Sequence, residues 1–518
     1  MKAHHLIIIF LIPLWLCGTL WAQPAAEDPG PLPQALKIDL ERLEETWHVL
    51  DFCAEKIWTG WNNYKDVPFL FSYPNGMQLL VGHPSPIDGF DLVPGVEIKG
   101  KKVYLDRKNV VPVELTPPLT GGGGPIPFGK EETVRTIQIH LEPTRTPPPE
   151  NKDERVFPGE EQILINIHEL FHCYQKSIYT RPYGNLHYNT DANYAIYAEI
   201  EGLALEKAYL EPDDQKSKEY LKDFIVAREL KRKSMTDIQQ QQESSEDFSE
   251  GTAVYAETMA LELMKKGYQP LITKEEDPSY SGFKDIQTLL EKKLKALRDS
   301  RVETMDSRGK CYYYGCFQAL LLNRFRPEWQ KIVQEKQQTL DVIIKNYLQL
   351  SPRESTAIAR QLKTKYEFEA ISQKHTALIN KRDDTYKQMQ KRGGRKYIIN
   401  FKPTREFLSI KPRGESYSLG LIRMYPLGIE PLRVQEVLLE VNETPIIQDQ
   451  LYYIKWIDTE TNPTQKGYEI SSAKKEGEDT YIDAVFTTKG FVLKAPKIQV
   501  KDLPNRVKVT VLSKVKDN

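Results

Sequence analysis

The feature that most constrains this chain is a change of hydrophobic period along its length. Helical spacing runs from residue 160 to about 391, between two stretches of strand-like runs. A 3.6-residue stripe and a two-residue alternation cannot be satisfied by the same element, so the change divides the chain by type of secondary structure. Upstream, residues 36–58 place Leu40, Leu43, Trp47, Leu50 and Ala54 on one helical face, and short strand-like runs follow at 69–73, 78–81 and 102–105. Residues 133–141 alternate as a strand, whereas Gly121–Gly124 with Pro125 and Pro127 reads as a flexible loop. No Lys-Ser/Thr follows those glycines, which excludes a phosphate cradle. Beyond Gly393 and Gly394, the runs at 397–401, 433–441, 452–457 and 507–512 are β-branched and aromatic between turn signals. The expected class is α+β. Residues 23–155 form a mixed N-terminal region, 156–392 a mostly helical domain with a polar linker around 239–246, and 393–518 a β-sandwich-like domain.

Residues 1–22 stand apart. Lys2 precedes an apolar run from Leu6 to Trp21 that ends at Ala22, the layout of a secretory signal peptide. The run is short for a membrane span and is interrupted by Pro13 and Gly18. The expectation is an exported chain, periplasmic or extracellular, with no membrane span after cleavage near Ala22. Cys53, Cys173, Cys311 and Cys316 then remain, too few for a disulfide scaffold, and the absence of CxxC excludes a thiolate zinc site. A formal net charge of -1, with acids and bases interspersed, argues against a nucleic-acid partner.

One string carries chemistry: His168-Glu169-Leu170-Phe171-His172. Histidines at i and i+4 of a helix aim both imidazoles at one point, as a zinc ion requires, and Glu169 lies close enough to take a proton from a water the metal activates. Ile163, Leu164, Ile167, Leu170, Phe171 and Tyr174 form one apolar stripe, and both histidines fall on its flank rather than inside it. A catalytic zinc needs a third protein ligand. Two glutamates on apolar helical faces qualify: Glu201, with Tyr194, Tyr197, Ala198 and Leu205, and Glu250, with Ala253, Val254, Leu261 and Met264. A carboxylate on such a face is costly unless compensated. Gly202 and Gly251 would let either helix approach a neighbour closely. Geometry alone does not choose between the two.

The HELFH string followed by Ser249-Glu-Gly-Thr-Ala-Val-Tyr-Ala-Glu257 resembles the gluzincin class of zinc metallopeptidases, over residues 168–257. The resemblance implies a zincin-like catalytic domain acting on a peptide or protein substrate, with Zn2+ held by His168, His172 and Glu250 and with Glu169 as general base. Glu257 or Glu201 would then hold a histidine tautomer. The Gly-x-Met-Glu-Asn signature of one aminopeptidase family is absent, so aminopeptidase specificity is not implied, and endo- versus exo-action stays open. His187, or one of Tyr312, Tyr313 and Tyr314, is a candidate donor to an oxyanion. His48, His83, His140 and His375 are scattered singly. Residues 133–141 are the expected edge strand beside the cleft, able to align an extended peptide. The alternatives are a zincin fold that has lost catalysis and serves as a binding or cell-surface protein, and a helical interaction protein with an accidental HExxH. Oligomeric state is left open.

Overall fold

The computed structural model describes residues 32–108, 110, 115, 118–129, 134–143, 157–180, 191–302, 310–391, 395–401, 409–412, 417–418, 437–438, 452–458, 466–488, 491–504 and 506–512. Residues 1–22, expected to be a leader, and His187 lie outside them. The protein contains both helix and strand, and its described elements from Pro158 to Lys391 are all helices.

Helix α1 (Gln34–Ile57) is followed by six strands: β1 (Phe69–Ser72), β2 (Gln78–Val81), β3 (Asp91–Ile98), β4 (Lys101–Asp106), β5 (Leu119–Phe128) and β6 (Val134–Pro143). They form one sheet in the order β3-β4-β2-β1-β6-β5, in which β1 and β6 are parallel and the remaining pairs antiparallel. Ten helices follow: α2 (Pro158–Ile178), α3 (Ala192–Leu210), α4 (Asp214–Arg232), α5 (Asp237–Met264), α6 (Ile286–Val302), α7 (Cys311–Phe325), α8 (Trp329–Lys336), α9 (Leu340–Leu348), α10 (Pro352–Lys365) and α11 (Phe368–Lys391). Among the described residues, no helix is long and apolar enough to cross a membrane.

One hydrophobic core runs from Leu32 to Ile371 without a break near residue 155. Phe171 of α2 lies at its centre, with ring centroids 5.4 Å from Trp58 and 5.0 Å from Trp61, while Trp58 lies 5.0 Å from Trp329. Large rings buried on one stripe of α2 fix the rotation of that helix, and so fix where its flanking histidines point.

Three expectations are corrected. The glycine-rich segment 121–124 is not a loop but the middle of β5, and β5, not the 133–141 strand, is the sheet edge. An edge strand needs only one ladder, so Pro125 and Pro127 are tolerated. Glycine suits the close pairing with β6, since a Cβ on Gly123 would fall 1.7 Å from the Gln138 carbonyl oxygen. The polar segment 239–246 is not a linker either. It lies inside α5, started by a Thr236–Gln239 capping box, and its side chains at 242–246 are buried, with Glu243 and Ser244 paired to residues outside the helix and Gln242 to Glu246 within it. Finally, the C-terminal strands, from β7 (Arg395–Phe401) to β16 (Arg506–Leu512), share one continuous ten-stranded hydrogen-bond network rather than the two separate sheets of a sandwich.

Candidate metal centre

Helix α2 begins with Pro158 in its first turn, and Glu160 and Glu161 there favour the positive helix end. The Glu160 carboxylate accepts hydrogen bonds from the Ser281 backbone N–H and hydroxyl, both at 2.6 Å, anchoring the start of the helix. About two to three turns before its other end, His168 and His172 bring their Nε2 atoms to 3.0 Å from each other.

Helix α5 supplies the third group. Glu250 Oε2 lies 3.3 Å from His172 Nε2 and 3.6 Å from His168 Nε2. The three ligand atoms fall within 4.8 Å of one another, a grouping that could hold a metal ion. Tetrahedral ligands at zinc bond lengths stand about 3.3 Å apart, so the spacing matches that donor set. Helix α7 packs very close to α5 beside this point: a Cβ on Gly251 would lie 2.3 Å from Gly315 Cα. That approach brings the Tyr312 ring parallel to His168, with centroids 6.0 Å apart.

The outer partners fix both imidazoles. His168 Nδ1 donates to Glu257 Oε1 at 2.7 Å, and Glu257 is in turn paired with Lys293 of α6. His172 Nδ1 meets Gln175 Oε1 at 2.8 Å. Gln175 Nε2 donates to the Ser249 carbonyl at 2.7 Å and to Thr252 Oγ1 at 2.6 Å, so its oxygen must face the histidine. With neutral rings, Nδ1 is the protonated nitrogen of both, and two Nε2 lone pairs converge on a carboxylate. Such a set calls for a cation at its centre. Without one, burial disfavours a charged imidazole, yet hydrogen bonds to Glu250 and Glu257 push His168 up to about 10. The same histidines hold the Glu250 carboxyl well below its ordinary range against the effect of burial.

Glu169 is buried in this cluster, and its Oε2 has no hydrogen-bond partner. Burial pushes its carboxyl above the ordinary range, opposed by His168 and His172. A Cβ on Gly124 of β5 would sit 3.6 Å from Glu169 Oε2, so the bare edge strand passes directly over the orphan oxygen.

The other candidates lie elsewhere. Glu201 of α3 is fully buried but binds Arg228 Nε at 2.6 Å and also Lys231, both on α4. Tyr314 donates to the Ala198 carbonyl at 2.8 Å, which commits its hydroxyl to structure. His375 Nε2 pairs with Glu199 at 2.6 Å. No disulfide joins the four described cysteines. Gln175 was open to discovery from sequence, being one turn beyond His172 on its face, while Lys293 carries no local signal. Comparison with protein-family models, with curated proteins and with solved structures finds no match.

Proposed function

We propose that this protein is a zinc metallopeptidase of zincin-like architecture, with His168, His172 and Glu250 holding the ion and Glu169 acting as general base. The observation that carries this reading is the convergence of three metal-binding atoms around a glutamate whose own oxygen is buried and unpartnered. When bound, zinc would supply a Lewis acid that acidifies water and polarises a scissile carbonyl.

The residues of this chain then have separate tasks. Glu169 receives the proton of the attacking water and later delivers it to the leaving amine; its raised pKa suits a group that must do both. Glu257 and Gln175 hold the two imidazoles in their metal-facing tautomer. Strand β5 is the edge of the described sheet beside Glu169; Leu119 and Gly121 are bound by Arg42 and Gln162, and the residues beyond them, from Gly122 to Phe128, are where an extended peptide would add as a further strand. Tyr312, stacked on His168, is the best placed of the three tyrosines to reach an oxyanion. The leader-like residues 1–22 support action after export.

The direct test is Glu169→Gln. Expected is full metal content with turnover of a peptide library lowered by about 10²- to 10⁴-fold. Undiminished, chelator-sensitive hydrolysis by the variant would overturn the assignment. Zinc binding by the parent chain without hydrolysis of any peptide would favour a binding protein on the same fold.

A further inference from the structure

The helical face that carries Glu169 continues through Cys173 and Lys176, four and seven residues along α2, about 6 to 10 Å up the axis. There it meets Arg135 of β6, which lies beside the Cys173 thiol and acts on Lys176. In the ladder Arg135 stands opposite Pro127 of β5, three residues from the Gly124 that faces Glu169. Arg135 therefore stands on the strand next to the edge strand and faces the turns of α2 that lie one to two turns beyond the general base.

Arg135 is partly buried, its Nε is enclosed without a hydrogen-bond partner, and no carboxylate pairs with it among the described residues. Lys176 is a second cation, its pKa lowered by burial and by repulsion from Arg135 itself. Enclosing a cation beside a like charge is costly unless an anion completes the arrangement. A guanidinium fork is also the side chain best matched to a carboxylate.

We infer that Arg135, supported by Lys176, is an anion subsite of the cleft, and that the preferred peptide carries a carboxylate which pairs with it while the scissile bond lies at the metal centre. The carboxylate is either an aspartate or glutamate side chain or the peptide's C-terminus. This inference rests on the metallopeptidase reading and narrows its substrate class.

The test uses the full chain loaded with zinc and three fluorescent peptide pools: one with glutamates and an amidated C-terminus, one with glutamine in their place, and one with glutamine and a free C-terminal carboxylate. Binding is read by polarisation in the Glu169→Gln background, and cleavage with Glu169 intact. One acidic pool should bind at least about tenfold tighter than the neutral pool, the scale of a charge-assisted hydrogen bond. That pool names the source of the carboxylate. The preference should fall to within about twofold in Arg135→Gln, with zinc content unchanged. Should Arg135→Gln not fold, Lys176→Gln, an exposed change, should still reduce the preference and its salt dependence. Equal binding of all pools, no binding of any, or a preference unmoved in the variants would overturn the inference. Cleavage without acid preference would overturn it while sparing the peptidase reading. Selective binding without cleavage would uphold the subsite and sink that reading instead.

Discussion

Glu201 and Glu250 occupy matching contexts, each followed by glycine and sharing a helix with alanine and tyrosine, and both are buried. Their surroundings separate them. Glu201 faces the guanidinium of Arg228 and the ammonium of Lys231, within a buried network that also takes in Glu243, Asp247, Lys310 and Asp341. Glu250 faces two imidazole nitrogens whose outer sides are already committed. Burial of a carboxylate therefore says only that something compensates it. What stands opposite decides whether it is a strut or a ligand.

The sharpest way to break this contrast is Glu201→Ala. It strands Arg228 and Lys231 in the interior and should cost about 3–5 kcal/mol, read by denaturant titration. Metal content per folded chain should be unchanged. A cost below about 1 kcal/mol would show that the network does not depend on Glu201. Next come the groups behind the histidines. Gln175→Ala or Glu257→Gln should lower zinc affinity by about 10- to 100-fold in competition with a chelator. Equal affinity in both variants would remove the tautomer argument.

The smallest effect is in acid. Burial alone would raise Glu201, Glu243 and Asp341, but Arg228, Lys231, Arg232 and Lys310 outweigh it and hold them below the ordinary range. Asp247, raised by burial, runs the other way. For the three depressed groups, the unfolded chain binds more protons below about pH 4.5. The stability they supply is complete above that pH and is lost as pH falls through their folded values. Denaturant midpoints should drop at the acid end, and less steeply in Glu201→Ala than in the parent. A flat profile between pH 7 and pH 3 would count against the network.

Much of this was legible from local pattern. The helix carrying His168 and His172 shows in its apolar stripe, and the α5–α7 approach is foreshadowed by Gly251 and Gly315. Strand β5 was hidden because glycine and proline are turn signals, yet an edge strand accepts both. The buried polar run in α5 read as a linker because its partners, Lys231 and Arg232 of α4 and Lys310 just before α7, lie on other elements, up to 67 residues along the chain. The same distance kept Glu201 and Glu250 indistinguishable. Arg135 escaped notice because a charged residue in an alternating strand is expected to face water, whereas the strand's inward positions also include it.

The central claim is that Glu250, and not Glu201, completes a zinc centre with His168 and His172. Metal content of the purified chain, measured beside Glu250→Gln and Glu201→Gln, tests it most directly. The account predicts one zinc per folded chain in the parent and in Glu201→Gln, and none retained by Glu250→Gln. No stoichiometric zinc in the parent after incubation with the metal, or loss in Glu201→Gln with retention in Glu250→Gln, would contradict it.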